Sequence, residues 1–127
     1  MEYHYESNTK SFKLKQEEKE YILSLSIVGN YLRLSGQENI GKDGQFYETD
    51  FSLDDLRKIN RYFRIMPSIF EAQDELVKAI EKQKAGIEKS SNLLNIIFYM
   101  TIGTDNIIVK LPLEKKDNIL KRIKNPE

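Results

Sequence analysis

Phe46-Tyr47-Glu48-Thr49-Asp50-Phe51-Ser52-Leu53-Asp54-Asp55-Leu56 is the stretch on which the fold turns. Phe46 to Phe51 reads as a strand. From Leu53 the apolar positions fall at Leu53, Leu56, Ile59 and Phe63, so the period changes from two to about 3.6. Ser52 is placed to cap a helix, and Asp54 and Asp55 put negative charge in its first turn, where the helix dipole favours it. Met66-Pro67 ends that helix, because the residue before a proline is pushed out of α geometry. Ser68 caps a second helix, and Glu71 three residues on completes a capping box. Its inner stripe is Ile69, Ala72, Leu76, Ala79, Ile80 and Gln83. Gly86-Ile87 reads as a glycine cap at its far end, with the hydrophobic contact that often goes with one.

Upstream, Phe12 and Leu14 alternate with Lys13 and Lys15, as in a half-buried strand. Tyr21, Leu23, Leu25 and Ile27 alternate with serines, Gly29-Asn30 favours a tight turn, and Tyr31 to Leu34 alternates again, which makes a hairpin. Ser35 to Gln45 holds three glycines and little that is apolar, and reads as a mobile loop. Downstream, Leu93 to Ile102 is a long strand. Leu94, Ile96, Phe98, Met100 and Ile102 share one face, and the other is half apolar, which suits a central position. Gly103 to Asn106 is a turn. Ile107, Val109, Leu111 and Leu113 line a last strand, where Pro112 suggests an edge or an end. Asp117 is placed to cap a short helix carrying Ile119, Leu120 and Ile123.

The expectation is an α+β domain, ββββ-αα-ββ(-α), with an antiparallel sheet and the helical hairpin packed on one face. Residues 1–10 read as a flexible tail and residues 11–124 as one domain. Leu25, Leu56, Phe63, Leu76, Phe98 and Val109 are the expected core.

At 127 residues the chain is one ordinary domain, long enough to bury roughly two thirds of its unfolded surface. It is 39 % hydrophobic and 31 % charged, too apolar for a disordered chain. Lys plus Arg and Asp plus Glu are 20 each, so net charge argues neither for nucleic acid nor for acidic membranes. Without cysteine there is no disulfide framework, thiolate zinc site or cysteine nucleophile. Leu93 to Ile102 falls far short of the roughly 20 apolar residues of a membrane span. The first residues lack the basic start and apolar stretch of a signal peptide. A cytoplasmic setting is the expectation.

No motif carries chemistry. Gly36-Gln37-Glu38-Asn39-Ile40-Gly41-Lys42-Asp43 follows the phosphate-loop pattern except at its last position, where Asp43 replaces the hydroxyl that holds magnesium, and it joins strand to strand. A plain loop is the better reading. Glu48, Asp50, Asp54 and Asp55 could hold a hard metal or divide acid and base roles, but caps and solvated faces account for them. His4 has no second histidine to build a triad or a soft-metal site with. No cofactor, metal or catalytic residue is assigned.

Arg57, Lys58, Arg61, Tyr62 and Arg64 are the candidate protein-binding residues, a basic stripe with one aromatic able to grip an acidic surface. A solvated helix face is the plainer reading. Lys115, Lys116, Lys121, Arg122 and Lys124 make the C-terminal segment basic too. Leu113, Lys116, Leu120 and Ile123 have the spacing of a heptad fragment, or of a short helix folded back on the sheet.

Phe51-Ser52-Leu53-Asp54-Asp55-Leu56, Phe63, Ser68-Ile69-Phe70-Glu71 and Leu76 to Ile80 carry a resemblance to small α+β modules of protist cytoskeletal and scaffold proteins. The layout is also similar to the head domains of the centriolar cartwheel protein and of the end-joining scaffolds, which precede coiled coils. Those heads have three returning strands, and two are read here. The resemblance implies a scaffold or assembly role and transfers no functional residue. The expected function is a non-enzymatic protein-interaction or assembly module, with a protein partner presenting an acidic surface or with self-association. A nucleic-acid-binding domain and a small-ligand binder or small enzyme are the alternatives.

Overall fold

A computed structural model of the chain describes residues 9–38 and 44–116. Four strands come first: β1 (Lys10–Gln16), β2 (Lys19–Val28), β3 (Tyr31–Glu38) and β4 (Phe46–Ser52). Helix α1 (Leu53–Ile59), a 3₁₀ helix (Arg61–Ile65) and α2 (Ile69–Glu81) follow, then β5 (Ala85–Ser90), β6 (Leu93–Ile102) and β7 (Asp105–Lys116). The seven strands make one sheet in the order β1-β2-β3-β4-β7-β6-β5, antiparallel at every ladder. It curls until its two edge strands approach each other, forming a nearly closed barrel.

The expected α+β class, with its ββββ-αα-ββ order and helical hairpin on one face, is therefore corrected. Strands make up 58 % of the described residues and helices 24 %, so the sheet is the body of the fold and the helices serve it. Three local readings produced the error. Gly86-Ile87 is not a helix cap: Ile87 is buried in β5, whose register runs from Ala85 opposite Phe98 to Ser90 opposite Leu93. Ser35 to Glu38 is not loop but the end of β3, paired with β2 as far as Glu38 opposite Tyr21. The helix begun at Leu53 stops at Asn60, whose extended backbone (φ −152°) separates it from the 3₁₀ helix.

Other readings hold. Ser52 caps α1 with a full capping box, its hydroxyl accepting from the Asp55 N–H and the Asp55 carboxylate accepting from its own N–H. Ser68 Oγ accepts from the Glu71 N–H at 3.2 Å, one half of the expected capping box. Gly29 and Gly103 take the positive φ that their turns require. Pro112 lies in β7 where β6 alone pairs with it, because the β4 ladder begins at Glu114. The six expected core residues are all fully buried.

The barrel interior takes one face of each strand, with Leu23, Leu25, Leu34, Ile96, Phe98 and Val109 among its buried side chains. Helix α2 touches β2 and β3 from one arm of the curled sheet and β6 from the other, so it stoppers one end. Its Gln73 side chain donates to the Leu25 carbonyl at 3.1 Å. Towards the opposite end, Gly36 leaves room for Leu94: a Cβ at Gly36 would stand 2.6 Å from Leu94 Cδ2.

Candidate functional site

Among the described residues, two regions gather side chains able to bind a partner. The first is the corner where α1 and the 3₁₀ helix meet the β6–β7 hairpin. Asn60 builds it. Its Oδ1 accepts from the Tyr62 N–H at 2.8 Å, capping the 3₁₀ helix, and its Nδ2 donates to the Ile108 carbonyl at 3.1 Å. Arg61 reinforces the junction through an ion pair to Asp105 at 3.7 Å.

The helix break at Asn60 divides the five candidate residues. Lys58, Arg61 and Arg64 are exposed. Arg57 is half-buried and donates to the Met66 carbonyl at 2.6 Å, tying α1 to the end of the 3₁₀ helix, while its Nε is buried with no partner. Tyr62 is buried: its ring packs edge-on against Phe63 at 5.4 Å, and its hydroxyl donates to Glu75 Oε1 of α2 at 3.4 Å. Burial, with the Glu75 carboxylate adding to it, pushes the Tyr62 hydroxyl up to about 12. Arg57 and Tyr62 thus hold the corner together, and Lys58, Arg61 and Arg64 present charge.

Exposed apolar side chains accompany that charge. Tyr99 of β6 and Ile108 of β7 are cross-strand neighbours on the outer face, 50 % and 60 % exposed. Ile59, also exposed, precedes the asparagine that bonds to Ile108. The sequence signal for this patch was present in the half-apolar outer face of β6, but it was read only as evidence for a central strand. That strand does lie between β5 and β7.

The second region is the seam between β1 and β5. A cleft of about 530 Å³ opens there, lined by Gln16, Glu17, Lys19 and Tyr21 on one side and by Gly86, Ile87, Glu88, Lys89, Ile97 and Tyr99 on the other. Tyr21 and Lys89 of its lining both reach Glu38, only 4 % exposed. Its carboxylate accepts from Lys89 Nζ at 2.9 Å and from the Gln45 N–H at 3.3 Å, and Lys19 Nζ stands 3.9 Å away. The Tyr21 hydroxyl faces it at 3.5 Å. Burial alone would raise the Glu38 carboxyl, but the hydrogen bonds from Lys89 and Gln45 and the two ammonium charges outweigh it and hold the group below the usual carboxylate value. Burial and then the Glu38 charge push the Tyr21 hydroxyl up. Sequence reading missed Glu38 by placing it in a loop. The missed signal was parity, since Leu32, Leu34, Gly36 and Glu38 all face inward.

The four acidic candidates do not converge as a set, although Glu48 and Asp50 line one cleft with Thr49, Glu114 and Lys116. Asp50 takes a two-pronged hydrogen bond from Arg33 at 2.8 and 3.0 Å, Asp55 closes the α1 cap, and Glu48 lies opposite Glu114 in the β4–β7 register. Burial raises the Glu48 carboxyl. No group of three or more potential metal ligands occurs among the described residues. Of the phosphate-loop-like string, Gly36 to Glu38 belong to β3, and the rest lies outside the described residues, as do His4, Lys121, Arg122, Lys124 and the later half of the heptad fragment. Lys115 and Lys116 end β7. No helix among the described residues is long and apolar enough to cross a membrane.

No family model matches this chain, and no curated protein matches it. Among solved structures, the head domain of human CCDC61 is similar, with a TM-score of 0.64 and 10 % identity over 85 % of this chain and 96 % of that one. At that identity the likeness is one of fold.

Proposed function

We propose that this chain is a non-enzymatic protein-interaction or assembly module that docks an acidic protein surface at the α1–β7 corner. The observation that carries the reading is the exposed Tyr99–Ile108 pair, joined through the Ile108 carbonyl to the Asn60 break whose flanking helices carry the exposed Lys58, Arg61 and Arg64. Apolar side chains supply the burial that drives association, and the exposed cations of the flanking helices orient the partner. Asn60, Arg57 and Tyr62 fix the corner before any partner arrives, which lowers the ordering cost of binding. The fold likeness to a domain described as a head supports an assembly role. A cytoskeletal or ciliary scaffold is the setting implied by the resemblance in the sequence.

The test is affinity capture from a native lysate with nuclease-treated and untreated arms. Ile108→Glu and Arg61→Glu/Arg64→Glu variants run beside a Lys82→Glu control, an exposed cation at the end of α2 that belongs to neither site. The expected result is a defined protein set that survives nuclease and the control but is lost with both corner variants. Capture abolished by nuclease favours the nucleic-acid alternative, which rests on the same exposed cations. Capture indifferent to both corner variants removes this surface from consideration.

A further inference from the structure

We infer that the β1–β5 seam is a second docking site, one that takes an extended acidic-apolar peptide as an eighth strand of the barrel. Every neighbouring pair in the seven-stranded sheet is antiparallel, and seven is odd, so β1 and β5 run in the same direction. Among the described residues no ladder joins them, although their Cα atoms come within 8 Å of each other. A direct ladder would be the one parallel pair in an antiparallel barrel. A strand running the opposite way would be antiparallel to both edges and would satisfy backbone groups on each.

The chemistry of the edges specifies the occupant. Phe12 and Leu14 of β1 and Ala85 of β5 face inward, packed on the core but only partly covered. Alternate residues of an added strand would complete their burial. Outward, β1 presents the exposed Lys13 and Lys15, neither of them ion-paired among the described residues. Lysines on an edge repel a second copy of the same edge and attract acidic side chains in the matching positions. Gly86 leaves the outer floor of the cleft open beside Ile97 and Tyr99, with nothing within 4 Å of where its Cβ would stand. The occupant is therefore a partner segment alternating apolar with acidic residues.

Two strand spacings measure roughly 9.6 Å, more than the present approach of the edges, so the seam must part to admit a strand. The Lys89–Glu38 bond opposes that parting, because it ties β5 to β3 across β1 and β2. The site shares only Tyr99 with the corner, so either can fail alone.

The probe is a short synthetic peptide alternating valine with glutamate, titrated into the full chain and followed by backbone amide NMR and hydrogen exchange. A valine–lysine peptide is the control. The expected result is that amides of Lys10–Gln16 and Ala85–Ser90 shift and exchange more slowly with the acidic peptide only. Lys13→Glu/Lys15→Glu should weaken binding roughly tenfold. Lys89→Met should tighten it, and Ile108→Glu should leave it unchanged. Equal response to both peptides, or changes confined to other strands, overturns the proposal. So does slow exchange along both edges before any peptide is added, because it would show that this chain or a second copy already covers them.

Discussion

The two ends of the barrel are closed by opposite kinds of chemistry. The helices leave from the Ser52 end of β4, which lies opposite Tyr31 at the start of β3. There the stopper is apolar: Leu56, Phe63, Leu76 and Ala72 are fully buried, and the one buried polar side chain of α2, Gln73, donates to a backbone carbonyl. At the other end of β3 the stopper is the Glu38 carboxylate with its ring of donors. An apolar plug is stabilised by area and shape and is indifferent to pH. A charged plug is stabilised only while its partners are in place and its proton is off. The helical end should therefore dominate global stability, and the Glu38 end should set local opening of the seam.

Phe98→Ala tests that ranking most severely. Phe98 is fully buried on β6, the strand that α2 reaches from the far arm. Its truncation removes transfer energy and leaves a cavity, for a loss of about 3–5 kcal/mol in urea unfolding. A loss below about 1 kcal/mol would mean that the interior collapses around the gap and is not close-packed.

Glu38→Ala should cost less, about 1–2 kcal/mol. Removing one member of a fully buried pair strands a charge, but Lys89 is a third exposed and can swing into water. The pH dependence separates the ends more cleanly. Glu38 has a folded pKa below its unfolded value, so its stabilisation is complete above the unfolded value near 4.3 and is lost as pH falls through the folded one. Unfolding measured from pH 6 down to pH 3 should show a steeper loss for the wild type than for Glu38→Gln. Parallel curves would show that the carboxylate is no more stabilised in the fold than out of it.

This contrast explains what could be read in advance. The apolar end announces itself, because Leu53 and Leu56 follow one serine cap, and Ile69, Leu76 and Ile80 follow a second, at helical spacing. The charged end does not, because Gly36 and Glu38 occupy inward positions that a hydrophobic count expects to be apolar. Strand β5 was hidden in the same way: only Ala85 and Ile87 mark its inner face, and Gly86 between them looks like a helix stop. With β5 absent the returning strands numbered two, and the barrel with its seam was out of reach. Of the candidate corner, the exposed cations were legible from charge alone. The anchoring roles of Arg57 and Tyr62 depend on the break at Asn60, which helical periodicity passes over.

Towards the Glu38 end, Gly36→Ala tests how tightly the interior is filled. The new methyl meets the tip of Leu94, a side chain able to shift, so the expected loss is about 1 kcal/mol, recovered in part by Leu94→Val in the same chain. Full tolerance would mean that this level of the barrel holds unfilled space.

The smallest effect is a gain, and it belongs to the helical end alone. Helix α2 stops in a left-handed turn in which the Gln83 N–H donates to the Ile80 carbonyl and the Lys84 N–H to the Ala79 carbonyl. That pair of bonds places the left-handed residue at Gln83, with φ +62°, where glycine usually stands. The left-handed region costs an L-residue roughly 1–2 kcal/mol, and the added freedom of glycine in the unfolded chain returns part of that. Gln83→Gly should therefore stabilise the fold by about 0.5–1 kcal/mol. Because the bonds it relieves lie at the α2–β5 junction, amide exchange should slow in α2 while the Glu38-dependent part of the acid profile stays unchanged. If the acid profile moved with it, the two ends would be coupled through β5, and the independence assumed for the seam would fail.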